Sequence, residues 1–189
     1  MQWEEVERLC KILASKIDYK PDIIIALARG GLVPARLLCD LLLIKDVLTL
    51  KVNHWGITAN KDKSANISYS SSHNLNEKKV LIIDDITDTG ESLKVAINFV
   101  KQNMKPLELK TATLCHISHS CIKPDFYAKE ILSEKWTWII WPWNFYEDMK
   151  NILQDFEIKD KKNFVKEFNK RFDSNLTIEF LEKALNYKL

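Results

Sequence analysis

Glycine is scarce in this chain, which has only Gly30, Gly31, Gly56 and Gly90 among its 189 residues. Soluble proteins usually contain about 7% glycine, which would correspond to roughly 13 residues in a chain of this length. Glycine is needed mainly where the backbone turns sharply or approaches another group closely. The four positions are therefore predicted to mark loops with an unusual backbone.

Other absences exclude whole classes of protein. Because 28 basic residues face 26 acidic ones, the net charge is only +2, and we expect no nucleic-acid partner. No apolar run is long enough to span a bilayer, and the first residues lack the pattern of a signal peptide, so we expect no membrane partner. The four cysteines, Cys10, Cys39, Cys115 and Cys121, lack metal-binding spacing. We therefore expect a reduced, cytoplasmic protein.

The patterns that are present predict an α/β domain. Residues 23–27 form a continuous apolar run, which is typical of a strand buried on both faces, and residues 32–43 follow with helical spacing. The same order recurs in a predicted strand over 79–83 and a predicted helix over 91–100. Such alternation predicts a mostly parallel central sheet flanked by helices. The remaining predicted elements are a helix over 2–17, strands over 46–52 and 109–117, and short extended pieces near Phe126 and over 138–140.

Two segments depart from this alternation. Residues 53–76 are polar and long for a loop, and they predict a flexible flap or hairpin that we call the hood. Residues 145–189 contain no glycine and no proline and carry apolar residues at helical spacing, which predicts a short C-terminal helical extension. We therefore expect a main domain over 1–144 and an extension over 145–189, whose charges balance.

The segment with the most chemistry is Val80–Ser92, which reads Val-Leu-Ile-Ile-Asp-Asp-Ile-Thr-Asp-Thr-Gly-Glu-Ser. A buried strand delivers two adjacent carboxylates to its C-terminal end, where open α/β sheets bind their ligands. The helix that follows offers free amides and hydroxyls, which suit a phosphate. A sugar phosphate, with or without Mg²⁺, fits this combination. The residues alone leave a second interpretation open, in which the aspartates only cap a strand end and a helix.

The full pattern of this segment resembles the phosphoribosyl-pyrophosphate motif of the type I phosphoribosyltransferases: four apolar residues, Asp-Asp, three residues, Thr-Gly, one residue and Ser. Ile25–Ala35 is similar to the family's pyrophosphate loop. Pro124–Tyr127 and Trp138–Trp143 resemble the base-binding end of the xanthine-guanine and archaeal purine branch. The motifs cover about residues 1–145 in the family's order. The resemblance implies a type I phosphoribosyltransferase fold and transfer of phosphoribose to a purine base in purine salvage, with release of pyrophosphate.

The resemblance also implies a role for each motif position. Asp84 and Asp85 would hold the ribose hydroxyls, and Mg²⁺ would be held through the substrate, with these two carboxylates as its candidate protein ligands. Asp88 would be the catalytic residue, a general acid or base at N7 of the purine. The 5′-phosphate would be bound by Asp88, Thr89, Gly90, Glu91 and Ser92. The pyrophosphate would be bound by Ala28, Arg29, Gly30 and Gly31, with a non-proline cis peptide before Arg29.

The identity of the base depends on a missing lysine. In relatives that use 6-oxopurines, a lysine eight residues before the aspartate of the Pro-Asp-Tyr-like segment donates to the 6-oxygen. Counting back from Asp125 reaches Ile117 instead, so Ile117 would take that place beside the base. Because an ammonium can only donate, its absence permits a 6-amino group and favours adenine, with AMP as the product. His116 and His119 are candidate acceptors for that amino group.

The other contacts to the base are implied by the tryptophan-rich segment. Trp138 would stack on the base, and the backbone near Ile139 would read its edge. Tyr69 and Ser70 are candidate hood residues for closing the site. The implied partners are phosphoribosyl pyrophosphate, a purine base and a second copy of the chain in a homodimer.

Three alternatives remain open. The base could be hypoxanthine, guanine or xanthine. The protein could be a regulator that senses phosphoribosyl pyrophosphate without catalysis, although the intact Asp88 and the neutral C-terminal segment argue against it. A pyrimidine-using enzyme is the third, and the sequence of Trp138–Trp143 argues against that one.

Overall fold

The structure is a computed structural model of the chain, and it describes residues 1–54, 65–69, 73–135, 138–154, 160–172 and 176–186. The helices are α1 (Trp3–Lys16), α2 (Leu32–Leu41), α3 (Glu91–Phe99), α4 (Phe145–Gln154), α5 (Lys161–Phe172) and α6 (Ile178–Asn186). The strands are β1 (Ile23–Ala28), β2 (Asp46–His54), β3 (Ala65–Tyr69), β4 (Lys79–Thr87), β5 (Glu108–Ile117) and β6 (Phe126–Ile131). A π-helical turn, Val100–Met104, continues α3, and a 3₁₀ turn covers Ser133–Lys135.

The six strands form one sheet in the order β3-β2-β1-β4-β5-β6. Five of them, β2, β1, β4, β5 and β6, are parallel, and β3 lies antiparallel to β2 at the edge. This confirms the predicted α/β fold with a mostly parallel sheet. Because parallel strands end at the same edge of a sheet, the loops after β1, β4 and β5 lie side by side.

The two central strands are apolar because helices cover both of their faces. In β1, Ile24 and Ile25 are fully buried, and in β4, Ile82 and Ile83 are fully buried. Residue Ile25 pairs with Ile82, and Ala26 pairs with Ile83. This pairing sets the register that brings the loop after β1 beside the loop after β4.

The chain divides into two compact units, Val6–Trp136 and a smaller unit made of Met1–Glu5 and Thr137–Leu189. The sheet, α2 and α3 belong to the first unit. The smaller unit contains α4, α5 and α6, whose core includes Ile140, Met149, Phe168, Leu176 and Leu181. The segment between residues 137 and 144 therefore groups with the C-terminal helices by its contacts, and the domain boundary expected after residue 144 stays a prediction.

The predicted extended piece over residues 138–140 is wrong, because these residues form no strand. The amino terminus of Met1 donates a hydrogen bond to the carbonyl oxygen of Ile140 at 2.9 Å. The Ile140 side chain joins the core of the smaller unit. The backbone carbonyl is thus satisfied, and the apolar side chain is buried, without a partner strand.

Only part of the hood lies within the described residues. The strands β2 and β3 pair antiparallel, with Val52 opposite Ile67 and His54 opposite Ala65. Residues 55–64 and 70–72, which include the candidate Ser70, lie outside the described residues. The closure of the hood over a site therefore stays a prediction.

Within the described residues, no helix combines the length and apolar character that a membrane crossing requires.

Candidate active site at the ends of β1 and β4

The loop after β1 is a tight turn that leads directly into α2. It contains a non-proline cis peptide between Ala28 and Arg29, as the sequence predicts. The Gly31 N–H donates to the Leu27 carbonyl oxygen at 2.8 Å. A Cβ on Gly31 would lie 2.8 Å from that oxygen and would also collide with the carbonyl oxygen of Ile83. Gly31 is therefore required because two strand backbones leave no room for a side chain.

The loop after β4 begins with the acidic pair Asp84 and Asp85. The Asp85 N–H donates to Asp84 Oδ1 at 2.9 Å, and the Asp85 side chain is only 7% exposed. A Cβ on Gly30 would lie 2.5 to 2.6 Å from the carboxylate atoms of Asp85. The structure thus brings the predicted pyrophosphate loop into direct contact with the predicted ribose-binding carboxylates.

Burial and the adjacent Asp85 carboxylate both disfavour the ionised form of Asp84. Burial raises the pKa of Asp84 well above its ordinary value, and the adjacent Asp85 carboxylate raises it further. The backbone hydrogen bond from Asp85 acts in the opposite direction. Hydroxyl donors or a cation placed at the pair would relieve this cost, because either would stabilise the negative charge.

The loop after β4 ends at the N-terminus of α3. Gly90 adopts φ 85°, in the left-handed region, and directly precedes Glu91, the first residue of the helix. No side chain caps the N-terminus of α3, and the Glu91 N–H reaches Thr89 Oγ1 only at 3.4 Å. Gly31 likewise caps α2 without a side-chain hydrogen bond. Two helix N-termini without side-chain caps therefore follow adjacent strands, and the dipole of each helix suits a phosphate there.

Asp88 contacts His119, which the sequence indicates only as a candidate acceptor for the base and not as a neighbour of Asp88. His119 Nε2 lies 3.0 Å from Asp88 Oδ1. The Cys121 N–H donates to the Thr89 carbonyl oxygen at 2.9 Å. We call residues 119–121 the β5 loop. No sequence spacing indicates this contact, because it depends on β4 and β5 being neighbours in the sheet.

His116 lies at the end of β5, opposite Thr87 of β4. It is 3% exposed, and its ring centroid is 5.2 Å from that of Tyr127. Burial lowers the pKa of His116, so the neutral imidazole is favoured. Its buried Nδ1 has no hydrogen-bond partner among the described residues. The adjacent Ile117, predicted to contact the base, is fully buried.

The remaining predicted base contacts lie in the smaller unit. Trp138 is exposed and forms a hydrogen bond with the carboxylate of Asp148. Burial raises the pKa of Asp148, the Trp138 hydrogen bond lowers it, and the charge of Glu147 raises it. Ile139 is half-buried. The part of Trp138 and Ile139 in base binding stays a prediction.

The acidic residues of the site do not form a metal cage by themselves. Among the described residues, no group of three or more histidine, cysteine, aspartate or glutamate side chains is arranged to hold a metal ion. Asp84 and Asp85 supply only adjacent carboxylates, which is the kind of donor set that holds Mg²⁺ together with substrate oxygens.

Comparisons with known proteins agree with this geometry. Residues 2–150 match the phosphoribosyl transferase domain. A xanthine-guanine phosphoribosyltransferase of Desulfotalea psychrophila is 26% identical over 155 residues, which cover 76% of this chain and 84% of that protein. The hypoxanthine-guanine phosphoribosyltransferase of Saccharomyces cerevisiae is 25% identical over 187 residues, with 76% and 84% covered.

A solved structure is also similar. The purine phosphoribosyltransferase of Pyrococcus horikoshii Ot3 superposes with a TM-score of 0.62 and 31% sequence identity, and it covers 75% of this chain and 95% of that one. The domain match, the parallel sheet and the two loops at its edge all point to the same family. The chain therefore belongs to the phosphoribosyltransferases, and within them to the purine branch.

Proposed function

We propose that this protein transfers the 5-phosphoribosyl group of phosphoribosyl pyrophosphate to a purine base, with adenine favoured, and releases pyrophosphate. The observation that carries the proposal is the pair of uncapped helix N-termini after β1 and β4, with the Asp84–Asp85 pair between them. Phosphoribosyl pyrophosphate carries phosphates at both ends of a ribose with two vicinal hydroxyls. A site with two phosphate cradles on either side of two carboxylates matches that order.

The 5′-phosphate is assigned to the N-terminus of α3. There, the amides of residues 90–92 and the hydroxyls of Thr89 and Ser92 are the donors. The pyrophosphate is assigned to Ala28, Arg29, Gly30 and Gly31 at the N-terminus of α2, where Arg29 adds a positive charge. Anions are favoured at both places because the helix dipoles and the backbone N–H groups point toward them.

The ribose and Mg²⁺ are assigned to Asp84 and Asp85. The ribose hydroxyls donate to the carboxylates, and this contact favours the ionised form of Asp84 that burial and the Asp85 carboxylate disfavour. Bound Mg²⁺ would neutralise the charge that develops on the leaving pyrophosphate. Because the described residues offer no complete metal cage, the ion would be held through the substrate as well.

In the reaction, N9 of the base attacks C1′ of the ribose, the bond from C1′ to the pyrophosphate oxygen breaks, and pyrophosphate leaves with the electron pair. The ribose ring acquires oxocarbenium character, as in glycoside chemistry. Asp88 accepts the proton that the base loses at N7. The protein supplies orientation, charge stabilisation and exclusion of water, and it needs no covalent nucleophile.

The proposed preference for adenine rests on two features at the end of β5, a missing lysine and a buried histidine. No lysine occurs between Cys115 and Ser118, where relatives that use 6-oxopurines would carry one. The neighbouring His116 is buried, favours its neutral form and has an Nδ1 without a partner among the described residues. A neutral imidazole nitrogen accepts from a 6-amino group, whereas an ammonium cannot. The relatives named above support hypoxanthine, guanine or xanthine as the second candidate.

The remaining base contacts are proposed in the smaller unit. Trp138 is exposed and hydrogen-bonded to Asp148, so its indole ring is oriented yet open to a stacking partner. The backbone groups near Ile139 would form hydrogen bonds with the edge of the base.

A cytoplasmic homodimer is proposed from two further observations. None of the four cysteines, all of which lie in the described residues, forms a disulfide, which suits a reducing compartment. Leu43 is 87% exposed, and Leu41 and Val47 near it in the sequence are also exposed, which is the kind of apolar surface that a second copy would cover. Sedimentation equilibrium of wild type and of Leu43→Lys tests this: a monomer in both, or a dimer in both, contradicts the assigned surface.

The experiment that tests the function follows pyrophosphate release with phosphoribosyl pyrophosphate, Mg²⁺ and each of adenine, hypoxanthine, guanine and xanthine. We expect release to depend on the base and kcat/KM to be highest for adenine. Asp88→Asn should lower kcat by about 10²-fold or more, because the proton acceptor is lost. Faster turnover of a 6-oxopurine would overturn the adenine preference alone. Binding of phosphoribosyl pyrophosphate without release on any base would favour the sensor instead.

A further inference from the structure

His119 is held beside Asp88 by a set of contacts between the β5 loop and the loop after β4. The Cys121 N–H binds the Thr89 carbonyl oxygen at 2.9 Å, and the Cys121 thiol lies 3.8 Å from Glu91 Oε1. Gly90 packs so closely that a Cβ there would lie 2.5 Å from Ser120 Oγ. The contact between His119 and Asp88 is therefore one of several, and the backbone on both sides of it is tied.

The pair is arranged so that one carboxylate oxygen is engaged. His119 Nε2 lies 3.0 Å from Asp88 Oδ1, within ion-pair distance. Among the described residues, Asp88 Oδ2 makes no hydrogen bond. Both side chains keep solvent access, with 44% of His119 and 38% of Asp88 exposed. An ion pair at this exposure contributes at most about 1 kcal/mol to the stability of the fold, so the contact adds little to stability.

We propose that His119 is a positioning residue for Asp88, whose contact with Oδ1 through Nε2 keeps Oδ2 presented to N7 of the bound base. This inference rests on the proposed function, because Asp88 needs a fixed direction only if it accepts a proton. A carboxylate that rotates freely would meet N7 in few of its orientations, so a contact that restrains the other oxygen raises the rate of proton transfer. His119 itself does not touch the base in this arrangement.

This role differs from reading the base. If His119 accepted a hydrogen bond from the 6-amino group, its removal would change the ratio of kcat/KM for adenine and hypoxanthine. If it positions Asp88, its removal lowers kcat by the same factor for every base that is turned over and leaves the KM of the base nearly unchanged. The two roles therefore give opposite patterns in one set of measurements.

The kinetic test compares three variants with wild type on two bases. His119→Ala removes the imidazole and should lower kcat by roughly tenfold or more, because part of the rate enhancement from proton transfer is lost. His119→Gln retains an N–H donor at a similar reach and should recover most of that loss. Lys101→Ala is the control, because Lys101 is an exposed side chain of the π-helical turn Val100–Met104, outside the residues assigned to the site. We expect the control to behave like wild type.

A second measurement tests the pair without reference to catalysis. In ¹⁵N-histidine NMR spectra, the His119 resonances should shift on Asp88→Asn, while the His116 resonances stay in place. An unchanged His119 resonance overturns the pairing, and a His119→Ala enzyme with wild-type kcat overturns the positioning role. An altered base ratio assigns His119 to specificity instead. If wild type releases no pyrophosphate but the resonance shifts, the proposed function fails while the pair stands.

Discussion

Gly30→Ala should lower activity much more than stability, because the added methyl group meets a carboxylate of the proposed site. A Cβ on Gly30 would lie 2.5 Å from Asp85 Oδ2 and 2.6 Å from Oδ1, whereas ordinary contact begins at 3.4 Å. The carboxylate must therefore retreat by about 1 Å. Gly30 has no positive φ, so alanine meets no backbone strain there.

The size of the effect follows from this displacement. Misplacing a positioning group by about 1 Å lowers the rate by about 10²-fold, which corresponds to roughly 2.7 kcal/mol of transition-state stabilisation. The free energy of unfolding should fall by only about 1 kcal/mol, because the obstacle is the end of a side chain and not backbone. We expect kcat/KM for phosphoribosyl pyrophosphate to fall about 10²-fold in a protein that remains folded.

The assay pairs pyrophosphate release with urea unfolding, and Gly31→Ala supplies the contrast. A Cβ on Gly31 would meet backbone atoms of Leu27 and Ile83, which cannot move without opening the sheet. Gly31→Ala should therefore lose more stability than Gly30→Ala. A Gly30→Ala enzyme with wild-type kcat/KM would refute the reasoning, since Asp85 would then tolerate displacement without consequence for the substrate.

Three further predictions concern single positions. Gly90→Ala should cost about 1–2 kcal/mol of stability from its left-handed φ, plus the clash of the added Cβ with Ser120 Oγ, and an unchanged urea midpoint would contradict this. The raised pKa of Asp148 favours its protonated form in the folded state, so wild type should lose stability as the pH rises from about 4 to 7. Asp148→Asn lacks this titration, so its free energy of unfolding should rise relative to that of wild type over the same range. Parallel curves of unfolding free energy against pH would contradict this. Trp138→Ala should raise the KM of the base roughly tenfold and leave the KM of phosphoribosyl pyrophosphate unchanged, and equal effects on both would remove the stacking role.

The order of the elements could be predicted from local patterns. The apolar runs of β1 and β4 indicate buried strands, and the glycines and Asp84–Asp85 mark the loops at the ends of those strands. Gly30, Gly31 and Gly90 all lie in the loops at the sheet edge, and each is crowded by a neighbour. These features depend on residues adjacent in the chain, which is why the sequence alone indicates them.

Contacts between distant segments could not be predicted in this way. The pairing of His119 with Asp88 requires β4 and β5 to be adjacent and in one register, and no periodicity encodes that. The irregular backbone over residues 138–140 was missed for a similar reason, since its apolar residues read as a strand. The carbonyl of Ile140 finds its partner at the amino terminus of the chain, 139 residues away in sequence.

The order of the sheet has a consequence for how the protein is made. The strand β1 pairs with β4, although β2, β3 and the hood separate them in sequence. The two phosphate cradles therefore approach each other only after a long loop has closed, which is a slow event in folding. A nascent chain that has not yet formed β4 has one cradle and no acidic pair. It can then neither hold the substrate at both ends nor be stabilised by it, so substrate can protect the chain only after the centre of the sheet has assembled.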